Sequence, residues 1–439
     1  MSSYRFQLSD YHAVKNADVK INGITVISGL NGTGKTTIAR WLYYVVDVLC
    51  NYESKVEQVA QIKFWNFIQK LSHAVMSFGD SSKNQAMTTI MRDLRLTPKI
   101  FIPDMKEIVD RVISIISESL SESFANQPEQ PSFRRYEEFF NIKYDTTDSI
   151  EELVLKVQQS IYTDYKNILE EVIDKTTYHT IENFKEKLIF QFDLDLDGPC
   201  NSVIEFSEDG VDLIGNNDFN FPLNLRNVIY VNTQNFGKSF SLFGDNDLEQ
   251  MLSKKRDGEV SASANAIAKL ISRLIHGEVK VKKRDSEVIF GSKHSFQFVE
   301  DNGLTYNLRG AATGVISFSY LLQLLKNGWI DENTLFIIDE PECHLHPQWI
   351  VEYAHMLVRI NKYIGAKIVI SSHNPDMVSA IQAISSHEGT LDNLNFYLAE
   401  PSTESKGQYE FRCLGTEYSE IFDAFNVSID SINAFLPEE

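Results

Sequence analysis

Residues Ile24–Thr37 read ITVISGLNGTGKTT, an apolar, β-branched run that passes into a glycine-rich loop and then into a helical pattern. Gly29–Thr36 satisfies G-x-x-x-x-G-K-S/T in full. In such a strand–loop–helix setting, successive backbone N–H groups and a helix N-terminus face phosphates, the lysine reaches the β and γ oxygens, and the hydroxyl residue holds Mg²⁺. Lys35 and Thr36 take those two roles, and Gly29, Asn31, Gly32, Gly34 and Thr37 complete the residues expected to line the phosphates. A chance glycine-rich turn would have neither the Val-Ile strand before it nor the IARWLYYVV pattern after it. Binding of a nucleoside triphosphate with Mg²⁺ is therefore the first expectation.

Working outward, the 439 residues exceed one ordinary domain, and 43% hydrophobic residues are ample for a buried core. The longest uncharged apolar runs stop short of the roughly 20 residues a membrane span needs, so no membrane partner is expected. Met1–Gln7 carries no secretory signal pattern, and Cys50, Cys200, Cys343 and Cys413 lie far apart without C-x-x-C spacing. Free thiols in a cytoplasmic protein are the expectation. With 41 basic against 61 acidic residues the net charge is −20, which argues against a surface that binds nucleic acid everywhere. Room remains for DNA at a local basic patch, with KVKKR at Lys280–Arg284 and KKR at Lys254–Arg256 as candidates, although short basic runs are usually solvated faces.

Phe6–Ala17, Val19–Ile21 and Ile24–Ser28 read as strands, followed by a helix from Thr36 to about Leu49. Val56, Ala60, Phe64, Phe67, Leu71, Val75 and Phe78 then recur at helical spacing, as do Ile108, Val112, Ile116 and Leu120, and Ile150, Val154, Val157, Ile161, Tyr165, Ile168 and Val172. Residues 51–186 therefore read as a helical insertion, with a break in QPEQPS at Gln127–Ser132. Three helices of ordinary length exclude a very long coiled-coil arm. From Lys187 the period shifts to two in LIFQFDLDL and SVIEFSEDGVDLI, predicting that a sheet resumes. RNVIYVN at Arg226–Asn232 is a further strand, Ala262–Ile275 a helix closed by Gly277, and Val279–Tyr306 two or three strands with a turn at Asp301-Asn302-Gly303.

The second chemical signal is TLFIIDEPECHLHP, Thr334–Pro347, in which an apolar strand ends in Asp339 and Glu340. At the carboxyl edge of a parallel sheet the first carboxylate can hold Mg²⁺ and the second can orient or deprotonate an attacking water. A solvated acidic turn would account for Asp-Glu alone, but not for its pairing with a complete phosphate loop. Lys367–Ile370 followed by SSHNPD repeats the arrangement, placing His373 where an imidazole can donate to a γ-phosphate oxygen. Between the loop and these strands, RGAATGVISFSYLLQLL at Arg309–Leu325 is a small-residue loop running into a helix, able to contact phosphate from outside.

Phosphate loop, small-residue loop opening a helix, strand with Asp-Glu-Pro-Glu and strand with Ser-His-Asn-Pro, in that order, resemble the ATP-binding-cassette heads of soluble prokaryotic ATPases. The similarity is greatest to the OLD-like, ABC-type group of phage-defence and DNA-maintenance operons. It covers 1–50 and about 187–400. It implies an α/β P-loop NTPase of ATP-binding-cassette head type, formed by 1–50 with 187–439 and interrupted by the helical insertion. It further implies ATP hydrolysis with Glu340 and His373 in the catalytic roles, and metal contacts from Thr36, Asp339 and Gln234. Thr313 and Gly314, and with them Ser317, correspond to the signature loop that completes the partner chain's site, although Ala311-Ala312-Thr313-Gly314 departs from the usual Leu-Ser-Gly-Gly-Gln. His344 and His346 with Cys343 could suggest a metal trio, but His-Leu-His-Pro is similar to the dimer-facing loop of this group and lacks a fourth ligand. OLD nucleases carry a TOPRIM nuclease domain after the head, and the stretch after His373 is too short for one, so nuclease or toxin chemistry is expected on a separate effector protein. The expected assembly is a homodimer or higher even oligomer. A DNA-binding maintenance clamp is the alternative, and a transporter subunit a weaker one.

Overall fold

The computed structural model describes residues 2–78, 81–96, 102–126, 138–143, 149–192, 203–232, 246–283, 294–343 and 345–425. Two compact units emerge, Met1–Cys50 with Ile181–Glu439, and Asn51–Thr180.

In the first unit, the strands in chain order are β1 (Tyr4–Tyr11), β2 (Val14–Ile21), β3 (Ile24–Ser28), β4 (Val203–Glu208), β5 (Val211–Asp212), β6 (Asn227–Asn232), β7 (Gly277–Lys283), β8 (His294–Glu300), β9 (Thr305–Asn307), β10 (Thr334–Asp339), β11 (Lys367–Ser372), β12 (Leu394–Pro401) and β13 (Tyr409–Gly415). Ten of them form one sheet in the order β5-β4-β1-β2-β13-β12-β3-β11-β10-β6, and β7-β8-β9 form a second. The run β12-β3-β11-β10-β6 is parallel throughout. Every residue of β3, β10 and β11 is buried, which is why ITVIS, TLFIID and KIVISS read as continuous apolar runs without alternation: each is covered on both faces. In β1 and β2 alternation returns, with Tyr4, Phe6, Leu8, Ala17, Val19 and Ile21 inward and Arg5 and Lys20 outward. The register places Ser28 opposite Ser372, and Asp339 opposite both Ser371 and Asn232, so the carboxyl ends of four strands reach one edge together.

The helices, again in chain order, are α1 (Lys35–Phe78), α2 (Ser81–Leu96), α3 (Ile102–Asn126), α4 (Ile150–Thr177), α5 (Ile181–Phe192), α6 (Asn246–Ser253), α7 (Ala262–Leu274), α8 (Thr313–Lys326), α9 (Pro347–Ile364), α10 (Pro375–Glu388) and α11 (Ser419–Phe425). On the parallel half of the sheet the core is built by α7 to α10. Phe318 of α8 packs edge-on against Trp349 and Tyr353 of α9, each at 5.2 Å between centroids. α9 and α10 each begin with proline and end at a left-handed glycine, Gly365 and Gly389, the asymmetry that sets helix length.

The second unit holds α2, α3, α4 and the part of α1 beyond Asn51, whose φ of −123° and ψ of 18° break the helical ladder. Its core is the apolar stripe read from the sequence: Phe64, Leu71, Val112, Ile116, Leu120, Val157, Ile161 and Tyr165 pack in one cluster. α4 starts with a reciprocal cap between Ser149 and Glu152. A fourth helix, α2, joins them. It escaped periodicity because Met87, Ile90 and Leu94 are the only apolar side chains buried among its described residues.

Three sequence expectations change. Phe6–Ala17 is not one strand but the turn of a hairpin, since Asp10 and His12 take φ of 54° and 47° and reverse the chain while the alternation continues across it. The sheet does not resume at Lys187: the backbone stays helical through Phe192, following the i, i+3, i+7 spacing of Ile181, Phe184 and Leu188, and the strand begins at Val203. Gly277 does not close α7. His276 takes the left-handed position, φ 53°, and Gly277 opens β7, where a Cβ would meet the Val299 carbonyl at 2.5 Å.

Candidate active site

The phosphate loop leaves β3 at Ser28 and enters α1 at Lys35. Gly32 and Gly34 adopt φ of 82° and 99°, and a Cβ on Gly34 would lie 2.7 Å from Val14 Cγ2, so the loop rests on the β1–β2 hairpin with no room for a side chain. Gly29 is as crowded, its Cβ position being 2.7 Å from that of Ala399. Asn31 is exposed at the loop tip, and Thr37 lies in the first turn of α1. The Lys35 ammonium is buried and donates to the carbonyls of Gly29 and Leu30, each at 2.8 Å. Burial pushes its pKa down, opposed by the charges of Glu340, Asp339 and Glu342.

Asp339 ends β10, and donors from α1, β6 and β11 converge on its carboxylate. Thr36 Oγ1 lies 3.1 Å from Oδ1, which Ser371 Oγ also approaches closely. Tyr230 OH and Asn232 Nδ2 reach Oδ2 at 3.2 and 3.5 Å. Burial, with the Asp339 charge, pushes the Tyr230 phenol far up and keeps it a donor. A hydroxyl and a carboxylate meeting beside a buried ammonium are the hard-oxygen set that Mg²⁺ takes next to phosphate, and a loop in which Gly29 and Gly34 leave no space for Cβ atoms fits a backbone cradle for the phosphates themselves.

Glu340 turns off the strand in a left-handed conformation, φ 51°, uncommon for a residue with a side chain. Its N–H still donates to the Ser371 carbonyl at 2.9 Å. Cys343 Sγ donates to Oε2 at 3.1 Å, and His373 Nδ1 lies 3.3 Å from Oε1. The structure thus brings Lys35, Thr36, Asp339, Glu340 and His373 to one sheet edge. Thr313 and Gly314 stand in the first turn of α8, whose N-cap Ala312 makes no side-chain cap bond, and Gly314 packs on the Trp349 ring. Ser317 is fully buried and donates to the Thr313 carbonyl, so its hydroxyl is not presented to a phosphate, contrary to its expected place in the signature loop. Gln234 and His344 lie outside the described residues. His346 caps α9, accepting from Gln348 N at 3.3 Å.

Sequence reasoning passed over Tyr230, Asn232, Ser371 and Ser372. A signal existed: Tyr230 and Asn232 are polar positions two apart at the carboxyl end of NVIYVN, hence on one face. The basic candidates separate. Lys280 and Lys282 are exposed on β7 beside Glu278, which engages Lys326 at 3.2 Å, and Arg284 lies outside the described residues. Arg256 instead serves the fold, pairing with Asp331 at 2.9 Å.

With this geometry in place, residues 113–379 match the AAA_21 family, "AAA domain, putative AbiEii toxin, Type IV TA system". The chain belongs to this family. The AAA_21 match contains Thr313, Gly314, Asp339, Glu340 and His373, and the phosphate loop precedes it. The chain is also 29% identical over 115 residues to the Septu protein PtuA of Bacillus mycoides (strain KBAB4), covering 25% of this chain and 15% of that protein. To the Old nuclease of Escherichia phage P2 it is 25% identical over 213 residues, 47% of this chain and 35% of the other. The chain therefore spans about a third or less of each of these relatives. Among solved structures it is similar to an SmcHead bound to the C-winged helix domain of ScpA, at TM-score 0.39 and 11% identity, covering 95% and 98% of the two chains. As an AAA_21 member with a complete phosphate loop and the parallel strand edge described above, the protein has an α/β P-loop NTPase fold of the AAA type. No helix among the described residues is long and apolar enough to cross a membrane.

Proposed function

We propose that this AAA_21 chain binds ATP with Mg²⁺ and hydrolyses it to ADP and phosphate, and that ATP binding joins two heads, or a higher even number, to control a separate nuclease or toxin in bacterial anti-phage defence. The observation that carries the reading is the contact of Thr36 with Asp339, 303 residues apart in the chain, beside Lys35 and directly before Glu340. In this reading Lys35 exchanges the carbonyls of Gly29 and Leu30 for phosphate oxygens, and Thr36 and Asp339 hold the metal. Gln234 is assigned to watch it. Bound Mg²⁺ supplies neutralisation of the phosphate charge. Glu340 accepts the proton of the attacking water, and His373, beside it, donates to the phosphoryl group. The backbone of Gly29–Thr37 supplies donors that need no reorganisation.

The opposing head contributes Thr313 and Gly314, in the first turn of a helix whose N-cap, Ala312, makes no side-chain cap bond. The effector assignment rests on the relatives named PtuA and Old nuclease. A cytoplasmic setting suits the free thiols Cys50, Cys343 and Cys413. Expression together with its genomic neighbours tests the division of labour: a partner protein should co-purify, while nucleic-acid cleavage by this chain alone would overturn it.

A further inference from the structure

Beyond Glu340, a second carboxylate occupies the same edge in a different environment. Glu342 has only 3% of its side chain exposed, against 12% for Glu340, and burial raises its pKa. Its Oε1 accepts from Ser372 Oγ at 2.7 Å and from the backbone N–H of His373 at 3.0 Å. The same oxygen lies 3.6 Å from His373 Nδ1, the ring nitrogen that faces Glu340 at 3.3 Å. Ser372 Oγ in turn accepts from Asn374 N at 3.1 Å, and Asn374 caps α10 through Asp376 N and Met377 N. One buried oxygen therefore ties the turn after β10 to the end of β11 and the start of α10. Oε1 is engaged by these protein donors, while Oε2 is buried with no hydrogen-bond partner among the described residues, so the carboxylate is enclosed rather than presented to a water at the phosphate.

We infer that Glu342 is a positioning residue for hydrolysis: by holding Ser372 and the His373 backbone it sets the imidazole beside Glu340. This rests on Glu340 and His373 acting in hydrolysis as proposed above. A side chain at position 342 then needs an acceptor oxygen and no proton transfer. The Glu340 and Glu342 carboxylates, alike in sequence, divide into one that reacts and one that aligns.

The experiment compares Glu340→Gln, Glu342→Gln and Glu342→Ala in the full chain with ATP and Mg²⁺, measuring kcat, binding of a fluorescent ATP analogue and thermal melting. Glu342→Ala should lower kcat by roughly 10²-fold, the usual cost of a misplaced catalytic group, with ATP affinity retained. Glu342→Gln, which keeps the acceptor, should stay within about tenfold of the parent, the difference between a charged and a neutral acceptor. Parent-like turnover in Glu342→Ala would overturn the inference, and so would Glu342→Gln as inactive as Glu340→Gln, because the charge itself would then be required. If Glu342→Ala does not fold, Ser372→Ala carries the test: it removes one donor to the same oxygen and should lower kcat without weakening ATP binding, and unchanged turnover overturns the inference. An active Glu340→Gln would instead remove the base assignment on which the inference stands, whatever Glu342 does.

Discussion

Lys35 and Glu340 carry opposite charges at the same edge and fail in different ways when replaced. The buried Lys35 ammonium fills the loop by bonding two of its carbonyls, so Lys35→Ala leaves those carbonyls unpaired and the phosphates facing backbone dipoles alone. ATP binding should be abolished, and undiminished binding of a fluorescent analogue would show that the site lies elsewhere. Glu340→Gln keeps shape and the ability to hold water but not to accept its proton. Turnover should fall by roughly 10²-fold or more, the usual size of a general-base contribution, with affinity for ATP retained. Hydrolysis at the parent rate in a coupled phosphate assay would mean the base is another group.

At the scale of elements, the phosphate loop is held by the β1–β2 hairpin beneath it. Gly34 and Gly32 both take positive φ, but a Cβ on Gly34 meets Val14 at 2.7 Å, whereas a Cβ on Gly32 meets nothing within 4 Å. Backbone strain alone costs about 1–2 kcal/mol for a residue with a side chain. Gly34→Ala should pay that strain and the clash together, and should lose ATP binding as well. Gly32→Ala should show the smaller fall in melting temperature, and an order reversed in parallel thermal melts would mean that the hairpin does not support the loop. In the helical unit, Phe64 is fully buried among Leu71, Val157 and Tyr165. Truncation to alanine should cost about 3–5 kcal/mol, as large-to-small core changes do, read from urea unfolding of the whole chain. A loss under about 1 kcal/mol would contradict a packed core there.

For the whole molecule the decisive quantity is assembly. If the site is completed across two chains, Glu340→Gln with ATP and Mg²⁺ should run as a dimer or an even multiple, because ligand that binds only the joined state stabilises it. Gly314→Asp adds a carboxylate facing the phosphates and should prevent this. The Trp349 ring lies 3.0 Å from where any Cβ at 314 would sit, so Gly314→Ala is the needed control for packing alone. The expected pattern in light scattering is assembly by the alanine variant and none by the aspartate variant, with ATP bound by both. Oligomers indifferent to nucleotide and to Gly314→Asp would contradict the composite site even with the fold intact.

What the amino-acid order determined by itself were the features written in adjacent residues: the phosphate loop that contains Lys35 and Thr36, the strand that ends in Asp339 and Glu340, the strand before His373, and the helical stripes of residues 56–78, 108–120 and 150–172. Each is a local pattern, a continuous apolar run or a 3.6-residue period, that survives any packing partner. The tertiary structure alone decided that Tyr230, Asn232, Ser371 and Thr36 converge on one carboxylate, and that Glu342 turns inward while Glu340 faces the edge. These outcomes depend on parallel pairing between segments far apart in the chain, whose register places Asp339 opposite Ser371 and Asn232. No local periodicity contains that register. It is set by covering both faces of β3, β10 and β11 at once, a condition only the assembled core imposes.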